Sequence, residues 1–441
     1  MDIREIMRSA GLVGAGGAGF PSYAKLAEGA DTLLINGSEC EPLLYTDLAI
    51  LSNEMTAVLA GARAILTETG IPRAHLVVKA HTAARLALAD GEQLAEGITV
   101  RVLPDVYPIG DELSLIYEAL GRSVAPGSLP ISVGVIVYNV ETLWGLGNAL
   151  LTGKPLTEKW LTVGGAVKAP TVLRVPIGMR VAELFSRLGI EPGEDEIVLD
   201  GGPSMGKPIR VSDSVVTKTT KGLLVLPRAL DTVSAKLANT RLATARAETA
   251  CCGCSRCTDL CPRHLLGYPL EPHKMVRAAV NAAAANPALV LSATLCCGCG
   301  ICESLACSQG ISPRTVINGF KAMLAEKRLR YTAKEAPIPA PERPGRMIPS
   351  GKWASTLGVS RFDRVAPYGG EIRDPEKVEI PLNRQIGLAS IPTVQNGDTV
   401  KLGDMIARAA DGLSVPQHAS ISGRVTLSDN KITISKVRND V

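Results

Sequence analysis

One segment sets the organisation of this chain: Cys251-Cys252-Gly253-Cys254-Ser255-Arg256-Cys257-Thr258-Asp259-Leu260-Cys261-Pro262. Three of its cysteines are separated by two residues each, and a fourth follows after three more and precedes a proline. This C-x2-C-x2-C-x3-C-P spacing is typical of proteins that hold two [4Fe–4S] clusters. The two short intervals let three thiolates surround one cubane, while the fourth cysteine points away toward a second one.

A second cysteine segment follows with the spacing Cys296-x2-Cys299-x2-Cys302-x4-Cys307. It has one extra residue before its last cysteine, and Ser308 stands where proline is usual. The two segments resemble bacterial two-cluster ferredoxins, whose crossed ligation implies two mixed ligand sets. One predicted cluster is held by Cys251, Cys254, Cys257 and Cys307, and the other by Cys261, Cys296, Cys299 and Cys302. Cys252 and Cys297 are interpreted as surplus, although the register leaves open an exchange with a neighbouring ligand.

Two alternatives use the same cysteines, namely a pair of four-cysteine zinc sites or a set of disulfides. Zinc ribbons usually pair two C-x2-C knuckles across a longer loop, which fits this spacing poorly. The N-terminus, Met1-Asp2-Ile3-Arg4-Glu5, lacks the apolar core of a secretory signal, which predicts a cytoplasmic chain whose thiols stay reduced. Disulfides are therefore the least favoured alternative.

Composition excludes several classes of protein. The 441 residues predict roughly three domains, and 46% hydrophobic with 20% charged residues indicates packed cores rather than disorder. Aromatic residues make up only 3%, which argues against a surface that stacks nucleic-acid bases. The net charge of +4 is small, and no run of about 18 apolar residues predicts a membrane span. We therefore expect no nucleic acid as a partner and no membrane-spanning segment.

Changes in sequence pattern along the chain predict a multidomain α/β architecture. Alternating strands and helices, among them strands at 31–36, 74–79 and 98–103 and helices at 49–69 and 82–96, indicate a mostly parallel sheet near the N-terminus. A further buried strand is predicted at 131–137 and an Ala-rich helix at 274–287. The predicted units are an α/β domain (1–155), a small α+β module (156–235), a helical cysteine domain (240–333), a Pro-rich linker (334–377) and a small all-β domain (378–441).

A glycine-rich loop lies near the N-terminus, with Gly14, Gly16 and Gly19 spaced as G-x-G-x-x-G. The segment before it is predicted to be helical, so the usual strand of a dinucleotide fingerprint is missing. A backbone without side chains can still approach a phosphate or a flat ring closely, and Lys25 can supply a positive charge. Polar clusters at 36–42, 107–112 and 138–142 follow predicted strands, where ligands bind in open α/β sheets.

These residues resemble a known family of flavin proteins. The segment from Gly14 to Lys25, with Asn36-x-x-Glu39-x-Glu41-Pro42 and Asn139-Val140-Glu141-Thr142, is similar to the FMN- and NADH-binding subunit of respiratory complex I and more so to the C subunit of Rnf electron-transport complexes. The resemblance implies a Rossmann-like FMN/NADH domain, a soluble-ligand-binding β-grasp (SLBB) module and a two-cluster domain. The tail at 400–404 and 418–425 resembles the barrel-sandwich (lipoyl-like) domain of that family, without a lipoylation site.

The resemblance also implies a role for individual residues. FMN would be cradled by Gly14, Gly16, Gly17, Gly19 and Lys25 and contacted by Asn36, Glu39, Gly110 and Asn139. The nicotinamide nucleotide would face Phe20, Glu41 and Glu112. Ser38 replaces an aspartate of the family motif, and the aromatic residues that stack the nicotinamide are not identifiable.

A C-terminal barrel-sandwich domain is a permuted order that resembles the cobalamin reductases of propanediol-utilising bacterial microcompartments. That likeness implies an NADH-dependent oxidoreductase that passes electrons through FMN and two [4Fe–4S] clusters to cobalamin, or to an enzyme that handles corrinoids, with no catalytic acid or base. It implies a cytoplasmic location, inside or attached to a microcompartment. Contact with a shell protein and association into a homo-oligomer are left open.

Two other functions fit the same cysteines and glycines. One is an Rnf-like subunit that exchanges electrons between NAD(H) and ferredoxin or another protein. The other is a scaffold without enzymatic activity, in which structural zinc replaces the clusters.

Overall fold

A computed structural model describes residues 2–237, 240–281 and 286–437. Five parts follow one another, which we call the N-terminal domain (2–155), the middle module (156–237), the cysteine domain (240–333), the strap (334–377) and the C-terminal domain (378–437). The predicted mixture of α/β, helical and all-β units is present in this order.

The N-terminal domain is built on a five-stranded sheet in which only the first pair of strands is antiparallel. Both faces are covered, since Leu33 and Ile35 pack into one apolar cluster and Leu34 into another on the opposite side. The strands, in spatial order, are Gln93–Ala95, Ile98–Leu103, Ala74–Lys79, Thr32–Asn36 and Val135–Asn139. The helices are Ile3–Ser9, Thr46–Thr69, Ala80–Leu86, Glu112–Leu120 and Val140–Thr152. The parallel strands end at one edge, where the glycine loop and the polar loops meet.

Helix Thr46–Thr69 is, among the residues described, the one helix long and apolar enough to cross a membrane by length and composition. It packs closely against helix Val140–Thr152. Gly61 faces the Leu143 carbonyl, and Gly147 faces the backbone of Ala57, at distances that leave no room for a Cβ atom. This helix therefore contributes to the domain core.

The middle module is a six-stranded mixed sheet with one helix, Val181–Arg187, against it. Its central pair, Glu158–Gly165 and Gly222–Pro227, is parallel. From one edge to the other, the strand order is Lys207–Ile209, Glu196–Asp200, Gly222–Pro227, Glu158–Gly165, Thr171–Pro176 and Tyr368–Glu371. Helix Asp231–Leu237 leads toward the next domain.

The cysteine domain is helical, as predicted. Short helices alternate with the two cysteine loops, and Pro stands at the first position of four of them, where its missing N–H costs nothing. The helices are Thr240–Ala250, Arg256–Asp259, Pro262–Leu265, Pro272–Val280, Pro287–Ser292 and Pro313–Glu326, with a π turn at Cys302–Ala306.

The C-terminal domain consists of two small sheets that enclose one apolar core. One sheet has the strand order Lys377–Pro381, Lys431–Ser435, Gly423–Ser428 and Thr399–Val400. The other has the order Ile391–Pro392, Met405–Arg408 and Gln417–His418. This is the small all-β unit expected from the turn signals.

Three predicted elements differ from the structure. The helix predicted at 82–96 ends at Leu86, because Ala87 adopts a left-handed conformation at φ +53° and a strand forms at Gln93–Ala95. The strand predicted at 131–137 begins only at Val135, after a 3-10 turn and Gly134 at φ +74°. The helix predicted at 274–287 ends at Val280, where Asn281 is extended; residues 282–285 lie outside the described part of the chain.

The strap is not the bare linker predicted from its proline content. It contains helices Arg343–Arg346 and Ser350–Thr356, and two strands that complete other parts of the fold. Ile348–Pro349 pairs with Val106–Tyr107 of the N-terminal domain, and Tyr368–Glu371 adds the edge strand to the middle module. Trp353 is fully buried in the core that these parts share. Composition alone did not reveal these interdomain contacts.

A buried lysine of the middle module joins the C-terminal domain to the segment just before the glycine loop. Lys218 Nζ donates to the carbonyl oxygens of Gly11 at 2.8 Å and Pro416 at 3.0 Å. Burial lowers the pKa of Lys218 from its ordinary 10.5 to about 7. The neighbouring His418 is buried too, and burial together with the Lys218 charge lowers its pKa to about 3.

The shifted lysine predicts a pH-dependent stability. Between about pH 7 and 10.5 the unfolded chain keeps a proton that folded Lys218 gives up, so the free energy of unfolding should rise with pH, by up to about 1.4 kcal/mol per pH unit. Lys218→Met should remove this rise. Denaturant unfolding at several pH values, with exposed Lys401→Met as the matched control, measures it; the same slope in all three proteins would contradict the assignment.

Candidate functional site

The glycine loop is a tight turn held at its base by backbone hydrogen bonds. Gly14 N donates to the Phe20 carbonyl at 2.7 Å, and Gly19 N donates to the Gly14 carbonyl at 3.3 Å. Gly17 has φ +104° and Gly19 has φ +67°, which other residues rarely adopt. A Cβ atom on Gly16 or Gly17 would meet nothing within 4 Å, so the tip of the loop faces open space. Such a backbone can lie against a ligand.

Two asparagines at the strand ends tie this edge of the sheet together. Asn36 Nδ2 donates to the Gly110 carbonyl at 3.0 Å, and its Oδ1 accepts from Ser38 N at 3.0 Å. Asn139 Nδ2 donates to the Asn36 carbonyl at 3.1 Å and to Asp47 Oδ2 at 3.0 Å. Gly110 approaches the Ser38 carbonyl too closely for any side chain. The predicted flavin contacts Asn36, Gly110 and Asn139 are thus brought together.

Lys25 and Glu112 also meet at this edge. Lys25 Nζ pairs with Glu112 Oε1 at 2.8 Å and donates to the Val137 carbonyl at 3.1 Å. Both side chains keep about a third of their surface exposed, at 29% and 38%. An anionic ligand can therefore reach the Lys25 ammonium in exchange for the Glu112 carboxylate. Phe20, which is half-buried, lies at the end of the glycine loop.

Glu39 has a carboxylate oxygen without a partner. Its Oε2 accepts from Asp47 N at 3.1 Å, but Oε1 is buried with no hydrogen-bond partner in the structure. Burial, and then the Asp47 charge, raise the pKa of Glu39 to about 8. A ligand N–H group at this position would satisfy the free oxygen and favour the ionised carboxylate, and the flavin ring of FMN carries such a group.

A buried charge network behind Glu39 was missed by sequence reasoning. Lys221 pairs with Asp47 and lies 3.6 Å from Glu141 Oε2, and Lys159 Nζ pairs with Glu141 at 2.6 Å. Burial alone would lower the pKa of Lys221, but Asp47 and Glu141 raise it above its ordinary value. The network joins the strand ends to the middle module. Its signal in the sequence was Lys159, a charge directly before the apolar pair Trp160-Leu161 of strand Glu158–Gly165.

Glu41 lies at the junction with the middle module. Its Oε2 accepts from Ser204 N at 2.9 Å and its Oε1 from Met205 N at 2.7 Å. Ser204 also bonds to the strap and to the cysteine domain. Its Oγ accepts from Trp353 Nε1 at 2.9 Å, and its carbonyl oxygen accepts from Arg314 at 2.7 Å. Glu41 is one of three residues predicted to face a nicotinamide nucleotide. Both of its carboxylate oxygens already accept hydrogen bonds from the protein backbone.

The eight predicted cluster ligands line two cavities in the crossed arrangement. Cys251, Cys254, Cys257 and Cys307 line one, which we call the outer cavity. Cys261, Cys296, Cys299 and Cys302 line the other, which we call the inner cavity. Each cavity thus receives three thiols from one cysteine segment and the fourth from the other, the donor set that a [4Fe–4S] cluster requires.

The two cysteines interpreted as surplus also line the cavities. Cys252 lines the outer cavity and Cys297 lines the inner one. All eleven cysteines are free, so the disulfide alternative is wrong for this structure. Within the described ranges, no three His, Cys, Asp or Glu side chains are close enough to hold a single metal ion. Cys40 is separate from both cavities, and burial raises the pKa of its thiol to about 12.

Three family models match successive parts of the chain. Residues 7–147 match the Nuo51 FMN-binding domain, residues 250–312 a 4Fe-4S dicluster domain, and residues 370–437 the RnfC barrel sandwich hybrid domain. An FMN-binding domain, a dicluster domain and a C-terminal barrel-sandwich domain are therefore present, as expected from the resemblance.

A curated relative matches almost the whole chain. The cobalamin reductase PduS of Salmonella typhimurium is 40% identical over 437 residues, which covers 98% of this chain and 96% of that protein. The chain belongs to the PduS cobalamin reductase family. The family assignment confirms the likeness found in the order of the domains.

More distant matches cover part of this family member. The C subunit of the Na(+)-translocating ferredoxin:NAD(+) oxidoreductase complex of Acetobacterium woodii is 33% identical over 269 residues, 60% of this chain and 58% of that one. A crystal structure of an NAD+-reducing [NiFe]-hydrogenase in the H2-reduced state matches with a TM-score of 0.43 and 20% identity, covering 74% of this chain and 61% of that one.

The cavities predict which cysteines bind iron. Cys254→Ser and Cys299→Ser should each lose about one cluster's worth of iron, because each removes a ligand from a different cavity. Cys252→Ser and Cys297→Ser are matched controls and should keep their iron. Iron and acid-labile sulfide analysis of anaerobically purified protein measures this. Loss of iron from either control would show that the surplus cysteine is a ligand.

The close approach at Gly110 predicts an effect on flavin binding. Gly110→Ala places a methyl group against the Ser38 carbonyl and 3.2 Å from Cys40 Sγ, so the loop that follows strand Thr32–Asn36 must move. FMN affinity should fall at least about tenfold, the equivalent of ~1.4 kcal/mol. Fluorescence titration of apoprotein with FMN measures it. Gly345→Ala, where a Cβ meets open space, should bind FMN as the parent does; equal affinity in both variants would contradict the role of Gly110.

Proposed function

We propose that this chain is an NADH-dependent oxidoreductase that reduces the cobalt of cobalamin. The observation that carries the proposal is the convergence of two crossed four-cysteine sets beside an FMN-binding domain, in a chain 40% identical to a cobalamin reductase. When bound, FMN would take a hydride from NADH and release the electrons singly to two [4Fe–4S] clusters. No side-chain acid or base is needed.

The protein residues bind and orient in this proposal. Gly14, Gly16, Gly17 and Gly19 would lie against FMN, and Lys25 would neutralise its phosphate. Asn36, Gly110 and Asn139 shape the strand ends, while Glu39 Oε1 would accept a hydrogen bond from the flavin ring. Support comes from the open glycine tip and from the unpartnered Glu39 oxygen.

NADH would enter on the side of Phe20 and Glu112, where the Glu112 carboxylate is partly exposed. Glu41 would act indirectly, because it fixes the 202–205 loop of the middle module. The two cavities would hold one cluster each, with the eight ligands named above.

We also propose domain boundaries and a fold name for the middle module. The units are 1–155, 156–235, 240–333, 334–377 and 378–441, of which residues 438–441 lie outside the described part of the chain. A mixed sheet crossed by one helix supports a β-grasp (SLBB) fold for 156–235, to which the strap adds a strand. Cytoplasmic location in or on a microcompartment, contact with a shell protein and self-association stay predictions.

An anaerobic titration tests the proposed reaction. NADH alone should bleach the flavin and cluster absorption, and added cob(III)alamin should restore it while two cob(II)alamins form per NADH, because NADH supplies two electrons and each cobalt takes one. Absorbance spectra follow every species.

Two results would favour the other candidates. Bleaching by NADH with transfer to ferredoxin but none to the corrinoid would favour an Rnf-like subunit. Zinc without iron or sulfide would favour a structural scaffold.

A further inference from the structure

The two cysteine cavities differ in how much solvent reaches them. In the inner cavity, Cys261, Cys299 and Cys302 are 7%, 7% and 8% exposed. In the outer cavity, Cys251 and Cys254 are exposed, as is the neighbouring Cys252. The two predicted clusters are therefore not equivalent, although their ligand sets are similar.

Residues that line the inner cavity bond directly to residues of the N-terminal domain. Tyr107 Oη donates to the Cys299 carbonyl at 2.7 Å, and Tyr107 stacks on Trp353 with ring centroids 4.7 Å apart. Arg263, which lines the inner cavity, pairs with Asp111 at 2.8 Å. Asp111 caps the helix whose first residue is Glu112, the partner of Lys25.

An apolar contact joins the same two regions. Cys40 of the loop that follows Asn36 packs into the core that contains Tyr107, Cys297 and Cys299. Packed protein therefore connects the strand ends to the inner cavity.

The outer cavity has a different lining. All of the described residues that line it lie between 251 and 313, within the cysteine domain. An open groove continues from it, lined by Ala247, Glu248, Cys251, Cys252 and residues as far as Asn281. Arg277 on the wall of this groove is exposed. A large ligand or a protein can reach this side without entering the flavin domain.

We propose that the cluster of the inner cavity accepts electrons from the flavin and that the cluster of the outer cavity passes them to the corrinoid, which docks at the Cys251–Cys254 loop. The physical reason is that the rate of electron transfer falls exponentially with distance. The inner cavity is joined to the strand ends where FMN would bind, and the outer cavity is open to an acceptor. Each NADH gives up a hydride, leaving NAD+; the two electrons cross the clusters one at a time, two Co(III) become Co(II), and one proton is released. This order rests on the proposed function.

Removing one cluster at a time tests the order. Cys254→Ser should keep the inner cluster, and NADH should still reduce it, as seen by its electron paramagnetic resonance signal, while cob(III)alamin reduction falls at least tenfold. Cys299→Ser should keep the outer cluster, which dithionite should reduce but NADH should reduce at least tenfold more slowly than in the parent. Circular dichroism and iron content show that each variant is folded and holds one cluster.

The reverse pattern would overturn the proposal, namely NADH reduction of the remaining cluster in Cys299→Ser but not in Cys254→Ser. Unchanged corrinoid reduction by Cys254→Ser would overturn it as well. If the parent itself reduces no corrinoid, the proposed function fails, yet the NADH experiments still decide the order of the clusters.

If a serine variant loses both clusters, a variant that keeps both clusters still tests the proposal. Cys252→Trp adds bulk at the rim of the outer cavity without removing a proposed ligand. NADH should reduce both clusters as in the parent, and corrinoid reduction should fall at least threefold. Cys297→Trp is not a useful control because it would overfill the inner cavity; Arg361→Trp, at an exposed position on the strap, is the matched control and should change neither reaction. Unchanged corrinoid reduction by Cys252→Trp would contradict docking at this loop.

Discussion

Two crossed sets of four cysteines in one small helical domain impose the constraint on which the rest of this structure depends. A [4Fe–4S] cluster requires four thiolates, and here each set takes three from one loop and one from the other, across at least 35 positions of the chain. The short helices with proline at their first position hold these loops against each other. Ser204 then fixes the cysteine domain against the N-terminal domain, because it bonds to Glu41 on one side and to Arg314 on the other.

Buried charges hold the remaining parts in register. Lys221 and Lys159, paired with Asp47 and Glu141, join the strand ends of the N-terminal domain to the middle module. Breaking such a buried pair leaves an uncompensated charge, which costs about 3–5 kcal/mol. Polar contacts of this kind penalise wrong arrangements of the domains more strongly than apolar packing alone would.

Local patterns predicted much of this molecule, and contacts distant in sequence explain the rest. The strands at 74–79 and 98–103 have the predicted limits, and the crossed cysteine sets line the expected cavities. The helix predicted at 82–96 failed because its apolar spacing continues past Ala87, whose left-handed conformation no spacing rule foresees. The strap was interpreted as a linker because proline content describes local stiffness and says nothing of Trp353, which is buried among three other parts. Lys159 and Lys221 escaped notice because their partners lie in another domain.

The central claim is that this one chain holds two iron–sulfur clusters on crossed cysteine sets beside a flavin site. The most direct test is an X-ray anomalous difference map, recorded at the iron edge on anaerobically grown crystals. We predict one four-iron peak in the inner cavity and one in the outer cavity, each bonded to three cysteines of one segment and one of the other. Zinc scattering in the cavities, or iron bound by cysteines of a single segment, would contradict it.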